Sequence, residues 1–165
     1  MVHERNARLW KRALLVGAGL KPPGARNATP EDIPALGELL SNAFLGTTDD
    51  SGQVETQYGS KAVAIVGGRY GEWIPAASWV YEQTGSLRSA CLVCDYKPYG
   101  CPVIAIVATT PSHQRLGHGG TLVDAALRSL AALGYRECCA MISVGNEPSE
   151  RLFASRGFLP KPDCL

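Results

Sequence analysis

Residues 109–120 carry the spacing Gln114-x-x-Gly117-x-Gly119, between an apolar run at 103–107 and a helix-patterned stretch at 121–133. Glycines let a tight turn follow a strand, and they leave backbone N–H groups bare at the start of a helix. Such a helix start binds phosphate through those N–H groups and its positive dipole end. The Gly-Lys-Ser/Thr ending of the NTPase loop is missing. The spacing therefore predicts a pyrophosphate-binding loop, and the alternative is a strand-to-helix turn that merely needs glycine.

A second motif follows a strand-like run at 138–144. Its residues match the pattern Asn-x-x-Ala/Ser-x-x-x-Tyr/Phe-x-x-x-Gly-Phe at Asn146, Ser149, Phe153, Gly157 and Phe158. Together with the first motif, in this order and with a strand between them, the chain resembles the GNAT superfamily of acyl-CoA-dependent N-acyltransferases. The stretch at 28–32 is similar to the start of the family's first helix, so the resemblance covers roughly residues 24–160.

The periodicity of apolar residues and the positions of turns predict the element order β-α-α-β-β-β-α-β-α-β. This order describes an α/β fold with a mixed, mostly antiparallel sheet flanked by helices, which agrees with the GNAT plan. We expect residues 24–165 to form the acyltransferase domain and residues 1–23 to form an N-terminal extension. In that extension, a stripe of apolar residues within 4–16 predicts a short helix, and 17–24 reads as a linker. Only residues 159–165 follow the second motif, where family members usually carry another strand.

The resemblance implies acetyl-CoA as co-substrate. It places the pantetheine against the strand end and the pyrophosphate against the glycine loop. It also puts Asn146 beside the pantetheine amides, although an asparagine here can equally cap the next helix. Phe153 stands where many relatives carry a tyrosine, so it cannot donate a proton and is expected to pack against the co-substrate. The implied binding residues are Val107, Ala108, Thr109, Gln114, Arg115, Leu116, Gly117, His118, Gly119, Gly120, Asn146 and Phe153.

The general base cannot be assigned from the motifs. An amine must be neutral to attack a thioester, so a proton acceptor is needed. The strand at 103–109, on which some relatives carry a glutamate, has no carboxylate. The weak candidates elsewhere in the chain are Asp49, Asp50, Glu55, Glu82 and His113.

Composition restricts the function classes. A chain of 165 residues with 45% hydrophobic residues suits one globular domain, and a formal net charge of +1 gives no strong attraction to nucleic acid or membranes. No apolar run reaches transmembrane length, and the N-terminus does not resemble a signal peptide. We therefore expect a cytoplasmic protein without nucleic-acid or membrane partners. The resemblance implies a small-molecule or peptide amine as acceptor, and a homodimer is a further expectation.

Six cysteines raise the question of a metal site. Cys91 and Cys94 form a C-x-x-C pair, but they fall in a strand-like run and lack the second ligand pair that zinc sites need. Cys138 and Cys139 are adjacent and would point to opposite faces of a strand. The sequence therefore predicts buried thiols that act as small apolar residues, and no metal.

These observations predict direct transfer of an acyl group, expected to be acetyl, to a primary amine in a ternary complex. Phe153 and the missing strand carboxylate leave one alternative, a non-catalytic CoA-binding domain that senses or regulates.

Overall fold

The computed structural model describes residues 6–15, 21–44 and 55–162, with the backbone alone for 55–58. Within these ranges the chain forms eight strands and four α-helices. They are β1 (Ala7–Ala13), β2 (Ala25–Asn27), α1 (Ile33–Phe44), α2 (Glu55–Val66), β3 (Glu72–Trp73), β4 (Trp79–Gln83), β5 (Ser86–Tyr96), β6 (Cys101–Thr109), α3 (His118–Ala132), β7 (Glu137–Ser143), α4 (Glu147–Ser155) and β8 (Leu159–Pro160).

The strands make one sheet in the order β2-β4-β5-β6-β7-β1-β8, with β3 paired to β5 beside β4. All neighbouring pairs are antiparallel except β6 and β7, which run parallel. The predicted mixed, mostly antiparallel sheet flanked by helices is confirmed. The parallel pair lies at the centre of the sheet, and the crossover between its strands is α3.

Each face of the sheet is covered by its own hydrophobic core. Helices α1 and α2 bury one face with residues such as Leu36, Leu40 and Ile65. Helices α3 and α4 bury the other face with residues such as Leu122 and Phe153. This arrangement places two pairs of helices on opposite sides of the parallel pair of strands.

The cysteines are divided between these two cores. Cys91 and Cys138 belong to the core under α3 and α4, whereas Cys94 and Cys139 belong to the core under α1 and α2. Alternation of side chains along a strand accounts for this division. Burial raises the pKa of the Cys91 thiol to about 12 and that of Cys94 to about 11, so neither readily forms the thiolate that binds zinc. Because they lie on opposite faces, Cys91 and Cys94 cannot ligate one ion together.

The N-terminal segment corrects one prediction. The stretch expected to be a helix within 4–16 is strand β1, which lies antiparallel between β7 and β8. Leu9 packs into the core under α1 and α2, while Trp10 packs into the opposite core. Both of these neighbouring residues are packed, because each face of the sheet that contains β1 has its own hydrophobic core. The strand expected after Phe158 is only the two-residue strand β8. The strand that pairs with β7 on this side is β1.

Within the described ranges, none of the helices is both long enough and apolar enough to cross a membrane.

Candidate active site

Strands β6 and β7 separate soon after they pair. Within the described residues their ladder has a single registered pair, Val103 with Cys139. On its other edge, β6 pairs with β5, and the register shifts so that Leu92 faces Ile106 while Val93 faces Ile104. Ala105 is therefore the extra residue of a β-bulge, which bends a strand and changes the direction of its edge. The divergence of β6 from β7 opens a cleft at the centre of the sheet.

At the end of β6, the glycine motif forms the turn into α3. Gly117 caps the helix with φ of +82°, a left-handed conformation that glycine adopts without strain. The first helical hydrogen bond is donated by the backbone N–H of Thr121 to the carbonyl of Gly117, at 3.0 Å. The N–H groups of residues 118–120 thus have no carbonyl of α3 one turn behind them. They form the kind of positively polarised helix start that binds phosphate.

Side chains hold this loop in place. The amide Nε2 of Gln114 donates to the carbonyl of Thr109 at 3.1 Å, tying the loop to the last residue of β6. Arg115 has a φ of +65°, an uncommon conformation for a residue with a side chain. The His118 ring stacks on Tyr81 of β4 with 4.2 Å between centroids. The loop therefore has a fixed shape that depends on β4 as well as on β6.

A second anchor joins the start of α3 to the end of α4. The guanidinium Nε of Arg156 donates to the carbonyl of Gly120 at 3.3 Å and lies 3.4 Å from Oδ1 of Asp124. A Cβ at position 120 would overlap this guanidinium. The carbonyl of Arg156 in turn accepts from Nη1 of Arg12 in β1, at 2.6 Å. A larger residue at position 120 would therefore displace the Arg156 guanidinium from its present contacts, and no sequence motif indicated the role of Arg156.

Two cavities lie along the cleft. The loop cavity, of about 590 Å³, has a size typical of ligand sites. Ten of the twelve residues predicted to bind the co-substrate line it: Val107, Ala108, Thr109, Gln114, Arg115, Gly117, His118, Gly119, Gly120 and Asn146. Leu116 does not line this cavity, and it is 65% exposed. The structure thus brings most of the predicted set together around one open space.

The cleft cavity, of about 150 Å³, lies between β6 and β7 themselves. Its walls include residues 104–107 of β6, residues 140–143 of β7 and Phe153 of α4. Phe44 at the end of α1 and Lys61 of α2 also line it. It shares Phe44, Val107, Asn146 and Ser149 with the loop cavity, so the two spaces adjoin.

Asn146 stands where the two cavities meet. Its Oδ1 accepts from the backbone N–H of Ser149 at 3.3 Å, which is the helix-capping contact that the sequence allowed. The residue also lines both cavities. Capping and contact with a ligand are therefore compatible at this position.

Phe153 lies at the cleft cavity and not at the loop cavity. It is 5% exposed and packs edge-on against Phe158, with 5.0 Å between centroids. Phenylalanine at this position supplies no phenolic hydroxyl to the cleft, as the sequence showed.

Two of the five candidate bases have described side chains, and neither of these lines the cleft cavity. Glu82 is ion-paired with Arg26 at 3.1 Å and lines neither cavity. His113 lines the loop cavity, where its Nε2 lies 2.7 Å from Oε1 of Gln83. Asp49 and Asp50 fall outside the described residues, as does the side chain of Glu55. Among the residues that the structure describes, the cleft cavity is lined by no carboxylate or imidazole, and its one ionisable side chain is Lys61.

Comparison with known proteins places the chain in a family. Residues 77–162 match the sequence profile of the family described as FR47-like protein. The chain is also 38% identical over 147 residues to phosphinothricin N-acetyltransferase of Streptomyces viridochromogenes. The matched region covers 84% of this chain and 75% of the relative. The chain belongs to the GNAT superfamily of acyl-CoA-dependent N-acyltransferases.

Solved GNAT structures share the fold. The GCN5-related N-acetyltransferase of Sphaerobacter thermophilus superimposes on 94% of this chain with a TM-score of 0.69 and 19% identity. The present chain spans about half of that protein, 48% of its length. A GNAT family acetyltransferase of Brucella melitensis, solved in complex with acetyl-CoA, superimposes on 86% of this chain and 90% of its own, with a TM-score of 0.62 and 19% identity.

Proposed function

We propose that this GNAT protein transfers the acetyl group of acetyl-CoA directly to the primary amine of a small-molecule acceptor. The observation that carries the proposal is the adjoining pair of cavities. One has a glycine-rich helix start on its wall, and the other opens between two diverging parallel strands. A long ligand with phosphates at one end and a reactive group at the other suits this arrangement.

The residues fit acetyl-CoA along its length. Gly117 and Gly119 leave room at the wall of the loop cavity, since a Cβ at Gly117 would meet nothing within 4 Å. From Thr109 back to Ala105 the chain advances about 13 Å along β6, at about 3.3 Å a residue. Because β5 occupies one edge of β6, alternate N–H and C=O groups point to the cleft and can pair with the pantetheine amides. These distances and edges support a position for the thioester in the cleft cavity, near the bulge at Ala105.

The thioester supplies an activated carbonyl, which a neutral amine attacks. A C–N bond forms, the C–S bond breaks, the amine loses a proton, and the sulfur leaves as a thiolate that takes up a proton. Backbone N–H groups of β6 that face the cleft can stabilise the negative charge that develops on the carbonyl oxygen. The described residues thus contribute binding, orientation and hydrogen bonds more than acid–base catalysis.

Direct transfer in a ternary complex is supported by the position of the thiols. All five described cysteines are buried, and none lines either cavity. A route through an acylated cysteine would need a thiol within reach of the thioester. Departure of the CoA sulfur does not require an acid at Phe153, because a thiol with a pKa near about 8.5 yields a stable thiolate.

The size of the cleft cavity and the relative's name support a choice of acceptor. In this proposal a space of about 150 Å³ holds the reacting end of the thioester as well as the acceptor, which favours a compact amine. The 38% identical relative is named for acetylation of phosphinothricin, an amino acid that bears a phosphinate. We propose a compact amino-acid-like amine as the first acceptor to test, ahead of a peptide N-terminus.

We also propose a cytoplasmic location, where acetyl-CoA is abundant and where free thiols such as the five described here persist. Self-association stays a prediction, which light scattering on the purified protein would check.

The deciding experiment measures CoA release from acetyl-CoA with a panel of amines, and identifies the product by mass spectrometry. The panel contains phosphinothricin, 2,4-diaminobutyrate, an aminoglycoside and a peptide with N-terminal alanine. We expect an acetylated product from at least one compact amino acid. Tight CoA binding by calorimetry without turnover of any amine would instead support the non-catalytic CoA-binding domain.

A further inference from the structure

Lys61 is the one ionisable side chain on the wall of the cleft cavity, among the residues that the structure describes. It is half-buried on α2, beside Ala62 and close to Ile65, which are both fully buried and hold this helix against the sheet. The ammonium group is thus carried by a helix with a fixed position. It lies on the wall of the space into which the acceptor must fit, if the function proposed above is correct.

Most of the other residues that line this cavity have apolar side chains, among them Phe44, Phe153 and Met141. Lys61 itself is half-buried. Charges interact more strongly at a partly buried position than in open water, because the effective dielectric constant is lower. A cation there attracts an anionic group of a ligand and repels a second ammonium.

The polar groups nearby are also suited to an anion. Ser143, Ser149 and Asn146 line the cavity, and hydroxyl and amide groups can donate hydrogen bonds to carboxylate or phosphinate oxygens. An ammonium has three donors, so Lys61 can bind an acceptor's anion while it keeps the contacts that it already makes. Charge and hydrogen-bond donors therefore occur on one wall.

We infer that Lys61 is a specificity-determining residue that selects acceptors carrying an anionic group, a carboxylate or phosphinate, in addition to the amine. This inference rests on the proposed function. It predicts that amino acids with acidic side chains are preferred, and that diamines, aminoglycosides and lysine side chains are poor acceptors. The acceptor's amine must be neutral when it attacks, so its anionic group is what remains for Lys61 to bind.

The experiment compares three acceptors that differ in charge, in the wild-type enzyme and in variants. The acceptors are phosphinothricin, phenethylamine as an amine without an anion, and 1,4-diaminobutane as a dication. Lys61→Met and Lys61→Gln remove the charge, Lys61→Arg keeps it, and Lys61→Glu reverses it. Lys161→Met is the matched control, because Lys161 is exposed near β8 and lines neither cavity.

We expect Lys61→Met and Lys61→Gln to raise KM for phosphinothricin at least about tenfold, the scale of a lost hydrogen bond to a charged group. KM for acetyl-CoA and the rate with phenethylamine should change less than about threefold. These two quantities are the control, because general structural damage would change them as well. Lys61→Arg should retain the preference for the anionic acceptor. Lys61→Glu should shift the preference toward the diamine.

Two results would overturn the inference while the proposed function stands. One is a wild-type enzyme that acetylates phenethylamine or the diamine better than phosphinothricin. The other is an unchanged KM for phosphinothricin in both Lys61→Met and Lys61→Gln. Failure of the wild-type enzyme to acetylate any amine, with CoA bound, would overturn the proposed function itself and the inference with it.

Discussion

The charge introduced by Gly117→Asp should sharply weaken binding of CoA, whereas the isosteric Gly117→Asn should not. Gly117 lies at φ +82° on the wall of the loop cavity, and a Cβ there meets no atom within 4 Å. Both variants share the cost of a left-handed conformation, about 1–2 kcal/mol for an ordinary residue and less for Asn or Asp. This cost corresponds to a fall in Tm of a few degrees, so both variants should still fold.

The electrostatic cost falls on the aspartate alone. A carboxylate about 5 Å from a diphosphate bearing about two negative charges is repelled by about 1.7 kcal/mol in a medium like water. An effective dielectric constant of about 20 makes this repulsion about four times larger. The lower figure already weakens binding more than about tenfold. The effect should shrink in concentrated salt, because the screening length falls from about 30 Å at 0.01 M to about 3 Å at 1 M.

Isothermal titration calorimetry with CoA at low and at high ionic strength measures both effects. Circular dichroism provides the check on folding. Wild-type affinity for CoA in both the Asp and the Asn variant at low salt would refute the placement of the pyrophosphate at this loop. An equal and large loss in both variants would show that the backbone conformation of Gly117, and not charge, dominates the binding.

Three further outcomes are expected. Phe153→Tyr should change the rate of the chemical step less than about tenfold in pre-steady-state assays, since departure of the thiolate needs little help; a hundredfold rise would contradict this. Cys91→Ser/Cys94→Ser should lose about 1–3 kcal/mol of stability per site, from burial of a hydroxyl in an apolar core, but keep its activity per folded molecule. Elemental analysis should find no stoichiometric zinc, and one equivalent that disappears in this variant would support a metal site. Arg26 lowers the pKa of Asp32 through two bonds of 2.8 Å. The ionised carboxylate therefore stabilises the fold above its unfolded pKa of about 3.9, and this contribution is lost as the pH falls further. Urea midpoints of wild type and Asp32→Asn should differ at pH 7, and the difference should narrow as the pH falls below about 4; a constant difference would argue against the ion pair.

The elements predicted best from the sequence are those set by local chemistry. The turn at Thr84 and Gly85 has φ values of +51° and +76°, which is the hairpin geometry that matches strand twist. Strand β5 begins directly after this turn, at Ser86. Nine of the ten predicted residues that line the loop cavity lie within the fourteen positions 107–120, so the end of β6 and the loop after it bring them together. The tenth is Asn146. Helix α3 begins at His118, three residues earlier than expected. Its first turn contains Gly119 and Gly120, and glycine has a low helix propensity, so the local sequence did not indicate a helix there.

The residues that sequence reasoning missed depend on packing between distant segments. Lys61 occupies a helix with apolar neighbours, and nothing in that local pattern shows which part of α2 overlies the cleft. Arg156 lies at an unspecified position within the second motif, and its contact with Gly120 joins positions 36 residues apart. The bulge at Ala105 depends on the register between β5 and β6, which the turn residues alone do not fix. Such features belong to tertiary structure, and single-sequence periodicity carries no signal for them.

The N-terminal strand shows how sheet context overrides a local pattern. Leu9, Trp10, Ala13 and Leu14 have a spacing that suits one face of a helix, yet Leu9 and Trp10 enter opposite cores. A helix on the surface could bury only one of these two sides, whereas a strand within the sheet buries both. Among the residues described after Phe158, two form strand β8, and β8 pairs with β1. Strand β1 pairs with β7 over seven residues and so protects the edge of β7 that lies away from the cleft. The N-terminal segment is therefore linked to the catalytic half of the fold through β7, whose other edge bounds the proposed site of acyl transfer.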